Sequence, residues 1–370
     1  MPISTIPTSG LSSDQGVNFR NLIINGDMSI AQRGTSVTGI GASDGYFTVD
    51  RFQYTREGSP SARFTQSQST VVPSGQGFAS SIKMDCTTAQ GSLSSGDGFN
   101  IQHKIEGQNL QLLKYGTSSA VTLTLSFWVR ATKTGTNIVW IYQNDDSRSQ
   151  AQAYTISSAD TWEKKTLTFV ADTTGVIDNN NGEGFRISWW LGAGTNFQSG
   201  SLATTWQSHS SAITAVGQVN HADNTANDFY LTGVQLEVGT SASDFEFLPF
   251  DVNLQRCQRY FEQSFAYGTP TGTATGTGAT RVPGTTDGSS NMTFNQTFRT
   301  VKRATPTITA YQDGGNSGQW NYSRNGASGQ LSSNNWTTNN KQVGIYFTFG
   351  SGYNWGAGLI EGHWVADAEL

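Results

Sequence analysis

Catalysis needs groups that donate, accept or attack at set spacing, and this chain offers few of them. Its four histidines, His103, His209, His221 and His363, occur singly, without the i,i+4 pairing or neighbouring Cys pair of a zinc site. A nucleophile elbow or phosphate loop is not expected, and Gly272-Thr-Ala-Thr-Gly lacks the closing Lys-Ser/Thr of the latter. Two carboxylates about 5–10 Å apart could hydrolyse a glycosidic bond, and Asp145, Asp146, Glu183 and Glu361 are candidates by residue type alone. Adjacent Asp145 and Asp146 would face opposite ways in a strand, and in a turn they would bond to backbone amides. The expectation is a protein that is not an enzyme.

The aromatic residues offer a different chemistry. Trp and Tyr stack on the apolar faces of sugar rings while their N–H and O–H groups reach polar partners. Trp320, Tyr322, Trp336, Tyr353 and Trp355 sit among Asn, Ser and Gly in the last third of the chain, which suits glycan contact. Burial at a subunit interface, where Trp and Tyr are enriched, suits them equally. Trp128, Trp140, Trp189 and Trp190 lie in runs of alternating apolarity and read mostly as core.

Short strands must position these groups. Period-two apolar alternation recurs at Asn21-Leu-Ile-Ile-Asn, Phe47-Thr-Val-Asp-Arg-Phe-Gln-Tyr, Val121 to Arg130, Asn137 to Tyr142, Lys165 to Val170, Phe185 to Leu191 and Phe229 to Glu237. Clusters such as Asp178-Asn-Asn-Asn-Gly-Glu-Gly separate them as turns. The pattern predicts antiparallel sandwiches rather than βαβ units. Residues 249–264 break it: Leu254, Cys257 and Phe261 recur at helical spacing after Pro249, with Asp251 placed to cap a helix of about three turns. A low-complexity Gly/Thr stretch follows, and strand patterns resume from Met292 to the end.

The predicted fold is therefore all-β, with two β-sandwich domains joined by a short α-helix. Residues 1–20 form an extended arm, 21–248 a sandwich, 249–264 the helix and 265–370 a smaller C-terminal sandwich. At 370 residues, two domains fit the size at which single cores stop growing, near 250 residues. A net charge of −5 with 13% charged residues argues against nucleic acid, which requires clustered Lys and Arg. No run approaches the ~20 apolar residues that span a bilayer, so membrane insertion is not expected, nor is a cleaved leader. Cys86 and Cys257 read as two separate buried thiols.

Several runs resemble phage and prophage tail-fibre proteins. Asn21-Leu-Ile-Ile-Asn-Gly-Asp-Met-Ser-Ile-Ala-Gln-Arg-Gly and Gly45-Tyr-Phe-Thr-Val-Asp-Arg-Phe resemble their opening. Leu231-Thr-Gly-Val-Gln-Leu-Glu-Val-Gly, Phe245-Glu-Phe-Leu-Pro-Phe and Cys257-Gln-Arg-Tyr-Phe resemble their middle. Arg303-Ala-Thr-Pro-Thr-Ile-Thr and Val365-Ala-Asp-Ala-Glu-Leu resemble their end. The resemblance implies a virion structural protein, homotrimeric, carrying a carbohydrate-binding-module-like jelly roll. It further implies attachment to a host surface saccharide and contact with other virion proteins through the arm. It also implies a structural Ca²⁺ on Asp27 and Asp228, whose oxygens would suit a hard cation; for Asp27, a simple turn cap is the alternative.

Overall fold

The computed structural model describes residues 19–283, 291–324, 327–332, 335–348 and 358–370. The chain divides into two compact units. One comprises residues up to Ser29, Thr38–Tyr46 and Phe52–Pro249. The other comprises Ile30–Val37, Phe47–Arg51 and Phe250–Leu370. Two short segments inside the stretch read as the first domain thus belong to the second unit.

The strands of the first sandwich are β1 (Ser36–Ile40), β2 (Phe52–Glu57), β3 (Arg63–Ser69), β4 (Ser81–Thr88), β5 (Gly98–Glu106), β6 (Leu123–Ala131), β7 (Gly135–Gln143), β8 (Arg148–Ile156), β9 (Glu163–Phe169), β10 (Glu183–Ala193), β11 (Gln207–Ser208) and β12 (Asp228–Val238). They form two six-stranded sheets, β1-β3-β4-β12-β6-β9 and β11-β8-β7-β10-β5-β2, and the chain crosses between them repeatedly as in a jelly roll. Aromatic side chains interdigitate between the sheets. Phe127 of β6 meets Trp189 of β10 edge-on at 6.0 Å, and Phe64 of β3 meets Phe99 of β5 at 5.4 Å. Each such side chain, buried from both sheets, contributes roughly 1.5–3 kcal/mol through removal of apolar surface from water.

One predicted strand is not a strand, and another starts late. Asn21–Asn25 runs as turns, with Asn25 and Met28 at φ of 62° and 59°. The Asn21 side chain replaces a ladder: its Oδ1 accepts from the Ile23 and Leu236 amides, and its Nδ2 donates to Val234 O. The run from Phe47 begins its strand only at Phe52, because the preceding Arg51 takes φ 70° and cannot continue a pleat.

The second unit contains the helix α1 (Phe250–Gln258) and the strands β13 (Phe261–Gln263), β14 (Thr280–Pro283), β15 (Asn291–Thr297), β16 (Thr307–Tyr311), β17 (Gln319–Arg324), β18 (Ala327–Ser332), β19 (Asn335–Thr338), β20 (Gln342–Thr348) and β21 (Leu359–Asp367). β21 is the hub, pairing with β13, β14, β16 and β17, while β15, β20 and β19 form a second sheet. The helix is shorter than its spacing predicts. Phe261 belongs to β13, whose amides pair with Asp367 to Val365 of β21, and Asp251 lies inside the first helical turn rather than ahead of it. Cys86 and Cys257 are both buried and neither is in a disulfide.

Parts of several of the runs that resemble tail fibres, Ile30–Gly34, Phe47–Arg51, Cys257–Phe261 and Val365–Leu370, meet inside this unit. The Arg33 guanidinium lies 3.5 Å from the centre of the Phe261 ring, and that of Arg51 lies 3.5 Å from the centre of the Tyr260 ring. Glu369 takes ion pairs from both arginines, and Gln32 Nε2 donates to Asp50 Oδ2 and to Phe261 O. Residues far apart in sequence are therefore held together by one buried polar network, a structural role for motifs that alone read as signatures.

Candidate functional site

Strand alternation sends Trp189 and Trp190 of β10 to opposite faces of their sheet. Trp189 enters the core and is fully buried. Trp190 faces away from the other sheet, in register with Asn100 of β5, which in turn pairs with Thr55 of β2. The next row on that outward face reads Gln53, Gln102, Ser188, Trp140 and Ala151. A third holds Lys104, Arg186 and Tyr142.

A connection after β10 folds over part of this face. Phe197 meets Trp190 at 5.2 Å, and Ala215, Phe197 and Leu202 pack with Ile138, Trp140 and Trp190. Gln218 ties the connection to the sheet by accepting from Ile138 N and donating to Asn137 Oδ1. His221 Nε2 lies 2.7 Å from the same Asn137 oxygen. Cover from this connection leaves Trp140 only 7% and Trp190 only 2% exposed although neither is between the sheets.

Where the cover ends, a recess of about 70 Å³ opens, lined by Glu57, Asn100, Gln102, Trp140, Trp190, Phe197, His209, Ser211 and Thr214. That volume is room for about two waters, so it accepts an edge of a ligand rather than a whole ring. Beside it His209 and Tyr142 continue the aromatic surface, with His209 at 5.4 Å from Trp140 and 5.0 Å from Tyr142. Trp140 Nε1, Trp190 Nε1 and Ser188 Oγ are buried and make no hydrogen bond to protein among the described residues. Buried donors without partners are rare and costly, so this face carries polar capacity that packing leaves unused.

The electrostatics are those of a neutral site. Burial, reinforced by Arg186, lowers the His209 pKa and so favours the neutral imidazole. Burial and then the Asp44 charge raise the Glu57 pKa. Arg186 is engaged by Glu183 at 2.9 Å, which also faces Lys104 at 3.5 Å. The arrangement can stack a sugar ring and exchange hydrogen bonds with hydroxyls; Glu57 is the one carboxyl among its described lining residues.

The aromatic residues singled out in the last third do not assemble into this site. Trp320 is fully buried in the core of the second unit with Phe298, Ile360 and Trp364, and its indole donates to His363 O at 2.9 Å. That corrects its reading as a ligand-contact residue, since a ring without exposed surface cannot stack on a sugar. Tyr322 is half-buried against the same core. Trp336 lies on β19, opposite Ile345 of β20, and Tyr353 and Trp355 lie outside the described residues.

The candidate carboxylates serve structure. Asp145 Oδ2 accepts from Asp178 N and Asp146 Oδ2 from Val176 N, while Glu361 pairs with Arg281 at 2.9 Å. The one Gly-x-Ser-x-Gly spacing, Gly41-Ala-Ser-Asp-Gly45, lies between two strands with Ser43 exposed and is not a strand-to-helix elbow. Asp27 accepts from Ser29 N and Oγ as a turn cap. Asp228 faces the Lys83 ammonium at 3.0 Å. The Asp27 backbone adjoins Thr232, four positions along β12 from Asp228. Among the described residues no group of three or more His, Cys, Asp or Glu is placed to hold a metal.

No protein-family model matches the sequence, and no curated protein matches it. Among solved structures the chain is similar to the enzymatically active domain of bacteriophage CBA120 tailspike protein 4, at 12% identity and TM-score 0.32 over 60% of this chain and 22% of that one. It is similar to the family 11 carbohydrate-binding module of Clostridium thermocellum in complex with a mixed-linked tetrasaccharide, at 8% identity and TM-score 0.28 over 57% and 98%. A third is the N-terminal cellulose-binding domain of Cellulomonas fimi β-1,4-glucanase C, at 11% identity and TM-score 0.27 over 56% and 100%. The chain spans about a fifth of the tailspike domain it matches. At such scores the likeness carries no argument about ligand, which rests on the face itself.

Proposed function

We propose that this chain is a non-catalytic phage attachment subunit that captures a host surface glycan on the outward face of the β2-β5-β10-β7-β8-β11 sheet. The observation that carries the glycan reading is the outward aromatic surface of Trp140, Tyr142 and His209 beside a recess lined by Asn100 and Gln102. The half-buried rings of Tyr142 and His209 supply a stacking surface, and exposed Glu57 and Ser211 at the recess supply hydrogen-bonding groups for sugar hydroxyls. The virion setting rests on the tail-fibre resemblance of the runs that converge around Arg33, Arg51 and Glu369. In that setting the chain is a homotrimer, its N-terminal arm contacts other virion proteins, and shallow sites gain strength by avidity.

A glycan array probed with the full chain tests this reading. Binding to a defined set of host surface glycans, weakened by Tyr142→Ala, is expected. Full binding by that variant would move the site off this face, and a chain that binds nothing on the array is better described as a structural part of the particle.

A further inference from the structure

The opposite sheet carries a second recess, about 230 Å³ in volume and larger than the first. It is lined by Phe78, Trp128, Phe245 and Phe247, with Gln76, Ser126, Lys164 and Asp244 among its polar groups. The three phenylalanine rings form a closed triangle: Phe78 lies 5.0 Å from Phe245 and 5.1 Å from Phe247, and those two are 4.8 Å apart. Such a cluster would normally turn inward. Here it stays accessible, with Phe247 49% exposed.

A backbone irregularity builds the recess. The β12–β6 ladder slips between Thr232 and Gln235, and within that bulge Gly233 takes φ 61°. A Cβ at Gly233 would stand 2.6 Å from Phe78 Cζ and 3.0 Å from Trp128 Cδ1. Only glycine lets both rings approach the strand this closely, and bulges of this kind re-aim side chains near functional sites. Trp128 is half-buried, directly opposite exposed Lys164 on β9.

We infer that this recess is a second saccharide site, taking a single neutral sugar unit. Ring faces supply stacking for the C–H face of a pyranose, and Gln76, Ser126, Lys164 and Asp244 offer donors and acceptors for its hydroxyls. Lys164 and Asp244 bring one charge of each sign, so the rim favours neither an acidic nor a basic sugar. The volume is below the ~300–1,000 Å³ of pockets that enclose drug-sized ligands, which limits it to one ring. The inference extends the glycan reading but stands on different residues: with both sites filled, one sandwich holds glycan on two faces and gains effective concentration without a second chain.

The test is a titration of the full chain, labelled at its tryptophan indoles, with the neutral methyl glycosides of glucose, galactose, mannose and N-acetylglucosamine, followed by NMR. At least one glycoside is expected to shift the Trp128 indole resonance. Phe247→Ala and Lys164→Gln, both at exposed positions, are each expected to weaken that binding at least about fivefold while leaving shifts at Trp140 and Trp190 unchanged. Shifts at Trp140 or Trp190 without any at Trp128 would overturn this inference and keep the first site. Shifts at Trp128 alone would do the reverse, and a Trp128 signal unmoved by all four glycosides sinks the second site outright.

Discussion

Arg33 and Glu369, separated by 336 residues, form an ion pair at 3.1 Å, both with side chains at most 8% exposed. Glu369 also pairs with Arg51, so one carboxylate serves two guanidinium groups that each lie over an aromatic ring. Glu369→Ala would take this carboxylate from two buried cations, while Asp50 at 3.7 Å and Asp367 at 3.5 Å still face Arg33, and breaking a buried pair on one side costs about 3–5 kcal/mol, here toward the lower end. Chemical denaturation is expected to show a loss of that size in the unit holding α1 and β21. A change within about 0.5 kcal/mol would show the network to be dispensable.

How much of this was legible varies by residue. The alternation at Phe185-Arg-Ile-Ser-Trp-Trp-Leu gave a strand, and Trp140, Trp189 and Trp190 are buried as that reading expects, but neighbours in a strand face opposite ways, so Trp190 is buried under the segment after β10 rather than between the sheets. The same rule applied to Ile138, Trp140 and Tyr142 would have placed them on the outward face with Trp190. By contrast, the segment after β10 that covers this face has no periodicity, so its contacts could not be read in advance. Trp320 misled for a related reason: polar neighbours in sequence say nothing about the long-range pairing of β17 with β21 that buries it. Helical spacing at Leu254, Cys257 and Phe261 was real, but β21 claims Phe261 and overrides local propensity.

Lys302 and Glu262 make a second buried pair, with Nζ 2.5 Å from Oε2 and both side chains at most 2% exposed. Glu262 also accepts the Arg299 amide. Burial lowers the Lys302 pKa, and Glu262 opposes that shift. Lys302→Met is expected to cost about 3–5 kcal/mol, and Lys302→Met combined with Glu262→Gln to recover most of it, because no buried charge is then left alone. Equal losses in the single and double variants, measured by urea unfolding, would contradict this account.

Acid should loosen the first sandwich through His221. Complete burial, with Lys133 adding to it, holds this imidazole's pKa down to about 3 from the ordinary 6.5. Between those values the unfolded chain binds a proton that the folded chain does not, so stability rises with pH there and is lost as pH falls below 6.5 toward 3. The slope is up to about 1.4 kcal/mol per pH unit. Asp223, whose pKa is lowered by Lys133 and Asn227 against the effect of burial, acts in the same sense at the acid end. His221→Gln should flatten the unfolding free energy between pH 6.5 and 5 relative to the parent protein; an unchanged slope would assign the acid sensitivity elsewhere.

Tyr142 separates binding from folding on the proposed glycan face. Its ring is half-exposed, stands 5.5 Å from Trp140 and 5.0 Å from His209, and its hydroxyl lies 3.2 Å from Ser147 Oγ. Tyr142→Ala removes stacking surface without opening the inter-sheet core, so stability should change by less than about 1 kcal/mol. Glycan affinity should fall about five- to tenfold, the worth of one aromatic contact. Trp189→Ala, one residue from the same face but inside the core, should cost about 3–5 kcal/mol of stability by leaving a cavity. Because burial and then Arg186 lower the His209 pKa, affinity should also change less between about pH 7.5 and about pH 6 than it would beside an ordinary histidine, which charges across that range. Urea unfolding of both variants checks the two stability statements, and calorimetric titration of Tyr142→Ala, and of the parent protein at several pH values, with a glycan selected on the array checks the two affinity statements. Tyr142→Ala binding at parental strength would mean that this aromatic surface is packing and not a receptor site.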